Sequence, residues 1–226
     1  MRISVIIPCY NQGEFLADAI ESALDQTAPP EVIVINDGST DNSLDIAKSY
    51  ESRGVKVVNQ VNKGLPSARN TGIMHATGDY ILPLDADDCL LENCIEKIAE
   101  EIKVHQSDVV APSFKCFGVA DQEVILTGIP SLKEFVQANR LGYFSAIKKS
   151  VLLEVGGYNP KMVWGYEDWD LWLDIFKRGH SLSVLQDVLV LYRTKKSSML
   201  TEANKRADEL KAQMIRNHHD LYDSLA

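Results

Sequence analysis

Alternating strand and helix patterns in the first half of the chain predict an α/β fold with a mostly parallel central sheet flanked by helices. Apolar, β-branched runs at 3–7, 32–35 and 55–59 alternate with segments in which apolar residues recur at helical spacing. The first two runs end in turns rich in Asn, Asp, Gly or Pro, which interrupt the pattern. Because parallel strands need crossover connections, this alternation predicts helices on both faces of the sheet.

The remaining elements follow from the same periodicities, with strands as short apolar runs and helices as longer amphipathic segments. Further strands are predicted at 80–84, 109–117, 124–126, 182–185 and 188–192, the second and third of these as a candidate hairpin. Helices are predicted at 15–24, 43–50, 66–76, 90–105, 167–178 and 201–225. The helix at 66–76 begins with a proline, which is favoured in a first helical turn.

The last predicted helix, 201–225, is polar apart from a narrow apolar seam. The seam consists of Leu200, Ala207, Leu210, Met214 and Leu221. Spacing near seven residues suits packing on the rest of the chain, and it equally suits pairing with a second copy as a homodimer. Both possibilities stay open from the sequence.

Composition and net charge limit the classes of protein to which the chain can belong. The chain has 226 residues and a formal net charge of −9, which argues against nonspecific nucleic-acid binding because phosphate contacts need clustered Lys and Arg. Its four cysteines show no metal-ligand spacing, as expected for free thiols in a reducing compartment. No signal peptide and no apolar stretch of about 18 residues is found. A cytoplasmic location is therefore predicted, with peripheral contact at the inner face of the membrane left open.

A cluster of acids follows the apolar run at 80–84. Asp85, Asp87 and Asp88 lie within four residues, at the carboxyl end of a predicted strand, where α/β sheets bind ligands. Close carboxylates raise one another's pKa unless a cation sits among them. Hard oxygen ligands suit Mg²⁺ or Mn²⁺, particularly a metal that also contacts phosphates. The alternative is a polar turn in which Asp88 caps the following helix.

Loops after the first two strands are predicted to meet at that same edge. Asp37 is suited to accept the imide N–H of uracil or thymine, and Tyr10 offers an aromatic face for the base. Arg69 is suited to bind the nucleotide as a forked donor. Taken singly, each residue is equally explained as a turn, the edge of the core or a surface Arg. Their joint position favours a nucleotide pocket.

A second acidic segment lies at 164–172 and contains all three tryptophans of the chain. Glu167 and Asp168 come where a helix is predicted to start. They are explained either as an acidic first turn or as a general base in a cleft, with Trp164 and Trp169 as aromatic walls for an acceptor sugar.

Six motifs in this order resemble the family 2 glycosyltransferases, inverting enzymes with the GT-A fold. The matching segments are Val5-Ile6-Ile7-Pro8-Cys9-Tyr10-Asn11, Val34-Ile35-Asn36-Asp37-Gly38-Ser39-Thr40-Asp41, Asn62-Lys63-Gly64-Leu65-Pro66-Ser67-Ala68-Arg69-Asn70-Thr71-Gly72, Asp85-Ala86-Asp87, Gly156-Gly157-Tyr158 and Glu167-Asp168. Single motifs of this length have many false positives, whereas an ordered set is specific.

The resemblance implies a role for each matching residue. The nucleotide would be bound by Pro8, Tyr10, Asn11, Asp37, Arg69, Asp85 and Ala86. Asp37 would contact the base and Asp85 the ribose. Asp87 would bind the Mn²⁺ or Mg²⁺ that bridges the diphosphate, with a Lewis-acid role. Asp168, beside Glu167, would be the general base that activates the acceptor hydroxyl.

One position departs from the family pattern. After Tyr192-Arg193 many relatives carry a His that helps to hold the metal or the diphosphate, and this chain has Lys195 there. A protonated lysine cannot coordinate a metal but neutralises phosphate as a point cation. The metal dependence of the chain is therefore an open question. His180, His218 and His219 are predicted to lie on the solvated surface.

The resemblance also implies a domain plan and a reaction. A GT-A domain would cover 1–200, with 1–115 binding the nucleotide sugar and 116–200 facing the acceptor, and 201–226 would be a helical extension. The expected activity is inverting transfer of a hexosyl or N-acetylhexosaminyl group, most simply from a UDP-sugar, in synthesis of cell-surface polysaccharide or glycoconjugates. The acceptor class, whether sugar, lipid-linked or protein, stays open. The alternatives are a catalytically weak nucleotide-sugar-binding module acting through partners and an Asp-x-Asp phosphatase.

Overall fold

Nine strands form one sheet within residues 1–225, the part of the chain that the computed structural model describes. The strands are β1 Ile3–Cys9, β2 Glu31–Asp37, β3 Lys56–Gln60, β4 Tyr80–Pro83, β5 Cys89–Leu90, β6 Val109–Gly118, β7 Gln122–Val124, β8 Ala146–Lys148 and β9 Leu182–Thr194. The helices are α1 Gly13–Leu24, α2 Ser43–Ser49, α3 Leu65–His75, α4 Cys94–His105, α5 Leu132–Gln137, α6 Lys149–Val155, α7 Glu167–Lys177, α8 Met199–Lys205, α9 Ala207–Asn217 and α10 His219–Leu225, with a short 3₁₀ turn at Glu51–Arg53.

The first half of the sheet is parallel and the second half is mixed. The strand order is β3-β2-β1-β4-β8-β6-β9-β5, with β7 paired to β6. The strands β3, β2, β1 and β4 run parallel, as the alternating sequence pattern predicts. The strand β8 is antiparallel to both β4 and β6, whereas β9 is parallel to β6. The predicted hairpin is confirmed by the antiparallel pairing of Phe114 with Val124.

The sheet is buried on both faces. Along β1, Val5 and Ile7 belong to one apolar core with α1, α2 and α4, while Ile6 belongs to a second core with α3, α6 and α7. Strands covered on both sides carry continuous apolar runs rather than alternating ones, which explains the runs seen in the sequence.

Several elements differ from the sequence prediction. The strand predicted at 124–126 lies at Gln122–Val124, and β5, β8, α5 and α6 are not predicted from the sequence. The helix α4 begins at Cys94 rather than at 90, because Cys89–Leu90 form a short strand against β9. The two predicted strands at 182–185 and 188–192 are one strand, β9, whose pairing with β6 is irregular around Ser113.

The C-terminal region forms three helices, so the prediction of one long helix is wrong. The helices break at Arg206 and at His218, neither of which has helical backbone angles. The side chains of Leu210, Met214 and Leu221 are buried in the same core as α7, which confirms packing on the chain itself. These three residues of the seam are therefore used within the chain, whereas Leu200 is 49% exposed. No helix in the described residues is long and apolar enough to cross a membrane.

Candidate active site

Loops that follow β1 and β2 are tied together at the carboxyl edge of the sheet. Asn11 adopts a left-handed backbone conformation (φ 52°). Its Oδ1 accepts a hydrogen bond from the Thr40 N–H at 2.7 Å, and its own N–H donates to Ser39 Oγ at 3.0 Å. Pro8 is buried within β1, whereas Tyr10 is 50% exposed beside these loops. An exposed aromatic face is thus held on a fixed turn.

Asp37, at the end of β2, is buried and organises the loop that leads into α3. Its Oδ1 accepts hydrogen bonds from Gln60 Nε2 at 2.7 Å and from the Lys63 N–H at 2.9 Å. Its Oδ2 accepts one from the Gly64 N–H at 2.9 Å. A carboxylate offers about four acceptor positions, and three are used here, so one position on Oδ2 has no donor from these residues; Asp37 is 3% exposed.

Arg69 lies fully buried on α3 between two acids that are far apart in sequence. Its Nη2 is 2.8 Å from Asp85 Oδ1, and its Nη1 is 2.6 Å from Glu167 Oε1. The rings of Tyr143 and Tyr158 flank the guanidinium at 4.8 and 5.2 Å. Burial opposes its charge, but the two carboxylates outweigh burial and raise the pKa of Arg69. This ion-pair network joins the two acidic segments that the sequence singled out.

Asp85 lies at the end of β4 and is half-buried. Burial raises its pKa to about 6, and Arg69 opposes that rise. Burial also raises the pKa of Glu167, which Arg69 opposes in the same way.

Asp88 is a buried structural acid and not a helix cap. Its Oδ1 accepts a hydrogen bond from the Arg193 N–H at 2.6 Å, and Tyr143 donates its hydroxyl to Oδ2. Burial raises the pKa of Asp88. Because α4 begins only at Cys94, the capping alternative for this segment is wrong.

Asp87 is paired with the lysine that departs from the family pattern. Lys195 Nζ lies 2.7 Å from Asp87 Oδ2. It also donates to Gln12 Oε1 at 3.2 Å and lies 4.1 Å from the centroid of the Phe15 ring. The acids of the cluster thus have cationic or hydrogen-bonding partners from the chain itself.

Asp168, in the first turn of α7, is half-buried. Asn139 Nδ2 donates a hydrogen bond to its Oδ2 at 2.9 Å, and the Trp169 N–H donates to its Oδ1 at 2.8 Å. Burial raises the pKa of Asp168, which Arg69 and the bond from Asn139 oppose. The residue before this pair, Tyr166, has φ 61°, and backbone strain of this kind concentrates at functional sites.

A cleft of about 420 Å³ brings part of the predicted site together. The predicted residues that line it are Arg69, Asp85, Glu167, Asp168 and Trp169. The predicted residues outside its lining are Pro8, Tyr10, Asn11, Asp37, Ala86, Asp87, Trp164 and Lys195.

The two tryptophans of the predicted acceptor wall have different surroundings. Trp169 is buried and donates its indole N–H to the Phe135 carbonyl at 2.6 Å. Trp164 is 55% exposed, with the Arg206 guanidinium 4.3 Å from its ring centroid.

Asp87 fits a divalent cation only as one ligand among several. No group of three or more His, Cys, Asp or Glu side chains in residues 1–225 is arranged to hold a metal. Mg²⁺ and Mn²⁺ sites of the phosphate-bridging kind need one or two carboxylates, with phosphate oxygens and waters completing the shell. The donor set therefore fits a metal that arrives together with a diphosphate.

Asn139 and Tyr143 are among the polar residues of the cleft that sequence reasoning missed, together with Tyr166, Tyr192 and Asn204. Tyr143 donates to Asp88 and accepts a hydrogen bond from the Asp85 N–H at 3.0 Å. Asn139 and Tyr143 lie in the irregular segment between α5 and β8, which has no periodicity to mark an inward-facing position.

Comparisons with known proteins agree with this geometry. The family model described as Glycosyl transferase family 2 matches residues 4–162. Glycosyltransferase GlyG of Streptococcus pneumoniae is 30% identical over 221 residues, which cover 88% of this chain and 72% of GlyG. The poly(ribitol-phosphate) beta-glucosyltransferase of Bacillus spizizenii is 37% identical over 122 residues, covering 51% of this chain and 19% of that enzyme.

Two solved structures share the fold. S. aureus TarS 1–349 in complex with UDP-GlcNAc has a TM-score of 0.81 and 21% identity, covering 96% of this chain and 66% of that one. The mannosyltransferase PcManGT from Pyrobaculum calidifontis, in complex with GDP-Man and Mn²⁺, has a TM-score of 0.71 and 19% identity, covering 95% of this chain and 64% of that one. At these identities the likeness establishes the fold.

The curled α/β sheet is of the GT-A type, as in TarS. The family model and the likeness to GlyG define the class of protein as a glycosyltransferase. More narrowly, the chain belongs to glycosyl transferase family 2, whose pattern spans most of its length. The resemblance read from the six sequence motifs is confirmed.

Proposed function

We propose that the chain transfers a sugar from a nucleoside diphosphate donor to an acceptor hydroxyl, with inversion at the anomeric carbon. The observation that carries this proposal is the position of Asp168, a partly buried carboxylate in the same cleft as Asp85 and Arg69. A single displacement needs one base near the donor and room for an acceptor beside it. Both requirements fit this cleft.

For the donor, we propose a UDP-sugar carrying a hexosyl or N-acetylhexosaminyl group, with a TDP-sugar second. The acceptor position left on Asp37 suits the imide N–H that uracil and thymine share. Tyr10 would cover the face of the base, Pro8, Asn11 and Ala86 would shape the pocket, and Asp85 would accept from the ribose. The UDP-GlcNAc bound by TarS supports the choice of uridine.

The diphosphate would lie near Asp87 and Lys195. A divalent cation bound there, Mn²⁺ or Mg²⁺, supplies a Lewis acid for the departing diphosphate. The Mn²⁺ bound together with GDP-Man in PcManGT supports such a role. Asp87 would be its protein ligand, and the ammonium of Lys195 would stabilise the same negative charge.

In the transfer step, Asp168 accepts the proton of the acceptor hydroxyl. The acceptor oxygen forms a bond to the anomeric carbon while the bond from that carbon to the diphosphate oxygen breaks. The nucleoside diphosphate leaves with the electron pair of the broken bond. Glu167, fixed by Arg69, holds the first turn of α7 in place rather than taking the proton.

For the acceptor, we propose a sugar hydroxyl of a cell-surface polysaccharide or glycoconjugate. The poly(ribitol-phosphate) beta-glucosyltransferase among the relatives supports this class. Trp164, which is 55% exposed and precedes the lining residue Gly165 in the chain, would provide a stacking face. A phosphatase is disfavoured, because Asp85 would have to act as nucleophile and its carboxylate is paired with Arg69.

The test compares Asp168→Asn with the native chain, using Asp174→Asn on the same helix as the matched control. We expect Asp168→Asn to slow UDP release from a panel of UDP-sugars by at least about 100-fold, because positioned bases contribute about 10²–10⁴. UDP affinity, measured by calorimetry, should stay unchanged in both variants. An Asp168→Asn enzyme that keeps its rate would remove the proposed base. Donor binding without turnover of any sugar nucleotide by the native chain would instead support the noncatalytic module.

A further inference from the structure

Lys195 brings an ammonium to the carboxylate where the family resemblance implies a metal. The ammonium lies 2.7 Å from Asp87 Oδ2, within ion-pair distance. Both side chains are about a quarter exposed, at 24% and 23%, so the pair is reachable from solvent yet not freely mobile. A cation of the chain itself therefore already contacts the Asp87 carboxylate.

The surroundings of Lys195 hold it in place. Gln12, in the loop after β1, accepts one of its N–H bonds at 3.2 Å, and the Phe15 ring lies 4.1 Å away as a cation–π partner. An ammonium has three N–H donors, and Asp87 and Gln12 take two of them. The third donor is left for a ligand oxygen, without any need to break the ion pair.

A second cation, Arg193, lies beside Asp87 and the Phe15 ring. The Arg193 guanidinium lies 4.5 Å from the centroid of the same Phe15 ring, and its Nε donates to the Asp87 carbonyl oxygen at 2.8 Å. Arg193 is shared with Asp18, whose Oδ2 lies 3.9 Å from its Nη2, so the ammonium of Lys195 is the cation that contacts the Asp87 carboxylate. A divalent cation approaching that carboxylate oxygen meets the ammonium of Lys195, whereas a phosphate oxygen is attracted to the ammonium.

We propose that Lys195 is a built-in counter-cation for the diphosphate, which lets the chain bind its nucleotide without a divalent metal. A divalent metal then increases the affinity for the nucleotide but is not required for the nucleotide to bind. This inference rests on the proposed function, since it presumes a nucleoside diphosphate beside Asp87. It assigns to one residue of this chain the charge neutralisation that a metal would otherwise supply.

The test measures UDP affinity by titration calorimetry, in EDTA and in Mn²⁺, for the native chain and for Lys195→Gln. In EDTA we expect the native chain to stay within about tenfold of its Mn²⁺ affinity. Lys195→Gln in EDTA should bind roughly 10- to 100-fold more weakly than the native chain, as expected for loss of a hydrogen bond to a charged group. Mn²⁺ should then restore more affinity to the variant than to the native chain.

Two further variants separate the effect of the Lys195–Asp87 ion pair from the effect of positive charge in general. Lys196→Gln removes the same charge from the next residue, which is exposed, and should behave as the native chain does. Lys195→Arg keeps a cation and should retain binding in EDTA. Circular dichroism of each variant checks that it is folded.

Each contrary result overturns a stated part of the proposal. If native UDP binding vanishes in EDTA, and Lys195→Gln matches the native chain in Mn²⁺, the counter-cation is wrong and the proposed function stands. If Lys196→Gln weakens binding as much as Lys195→Gln, the effect is general charge and the proposal fails. If the native chain binds none of UDP, TDP and GDP in either condition, both this inference and the proposed function fail.

Discussion

Two adjacent acids at the start of α7 have different surroundings and therefore different chemistry. Glu167 is buried and held by Arg69 at 2.6 Å, so its carboxylate is committed to an ion pair. Asp168 is partly buried and accepts hydrogen bonds from two neutral donors, Asn139 Nδ2 and the Trp169 N–H. A free carboxylate with a raised pKa suits proton transfer, and a paired one suits positioning. The geometry thus separates two residues that the sequence proposed together.

Asn139 gives a test of the base at the scale of one residue. Its hydrogen bond stabilises the ionised form of Asp168, so Asn139→Ala should raise the pKa of Asp168 further. A base works only when deprotonated, so the acidic limb of the profile of kcat/KM against pH should move to higher pH. The rate should fall most at low pH and recover as the pH rises. Steady-state transfer rates across the pH range would measure this.

The control for Asn139→Ala is Gln137→Ala, an exposed amide in the same part of the chain. Gln137→Ala should leave the profile of kcat/KM against pH unchanged. A loss of rate in Asn139→Ala that is equal at every pH would contradict the assignment, because it would mean that Asn139 shapes the cleft without tuning the base.

At the scale of the element, α7 is anchored by the C-terminal helices through a buried acid. Asp170 accepts hydrogen bonds from Asn217 at 2.8 Å and Asn159 at 3.2 Å, and His218 Nε2 lies 3.0 Å from it. Asp170 and His218 are both nearly inaccessible, so the prediction of a solvated surface for His218 is wrong. The chain leaves helical geometry at His218, and the ring lies in the core. These contacts hold α7, the helix that carries Asp168, against the C-terminal helices.

Replacing Asp170 should destabilise the protein strongly. Asp170→Ala leaves the buried His218 and the partly buried Asn159 and Asn217 without this partner, and breaking such a buried arrangement costs about 3 kcal/mol or more. Asp174→Ala, one turn later on α7, removes a partly exposed pair with Lys177 and should cost less than about 1 kcal/mol. Urea unfolding of both variants gives the comparison. Equal losses would mean that the buried network contributes no more than a surface pair.

Local pattern predicted most of the elements, and long-range contacts decided the rest. The alternating first half, the hairpin and the start of α7 follow from periodicity and turn residues that lie within a few positions of each other. The strand Cys89–Leu90 exists only because β9 pairs with it, so no local signal marked it. The break at His218 likewise coincides with a contact to Asp170 in another helix, which no local signal in the sequence marks.

The distinction between local sequence pattern and long-range contact also holds for the candidate active site. Arg69, Asp85, Glu167 and Asp168 sit in recognisable motifs and do line one cleft. The pairing of Lys195 with Asp87 joins two distant segments and required the structure.

At the scale of the whole molecule, the C-terminal helices belong to the second core rather than to an appended unit. Met214 is fully buried there, while the next residue, Ile215, is 47% exposed. Met214→Ala should lower the free energy of unfolding by about 2–5 kcal/mol, the usual cost of truncating a core side chain. Ile215→Ala should change it by no more than about 0.5 kcal/mol. Denaturant unfolding measures both, and light scattering should give one molar mass for the native chain and the variants. If Met214→Ala were to change the molar mass while leaving stability intact, the seam would have to lie between two copies, because a residue buried inside one chain affects that chain's folding first.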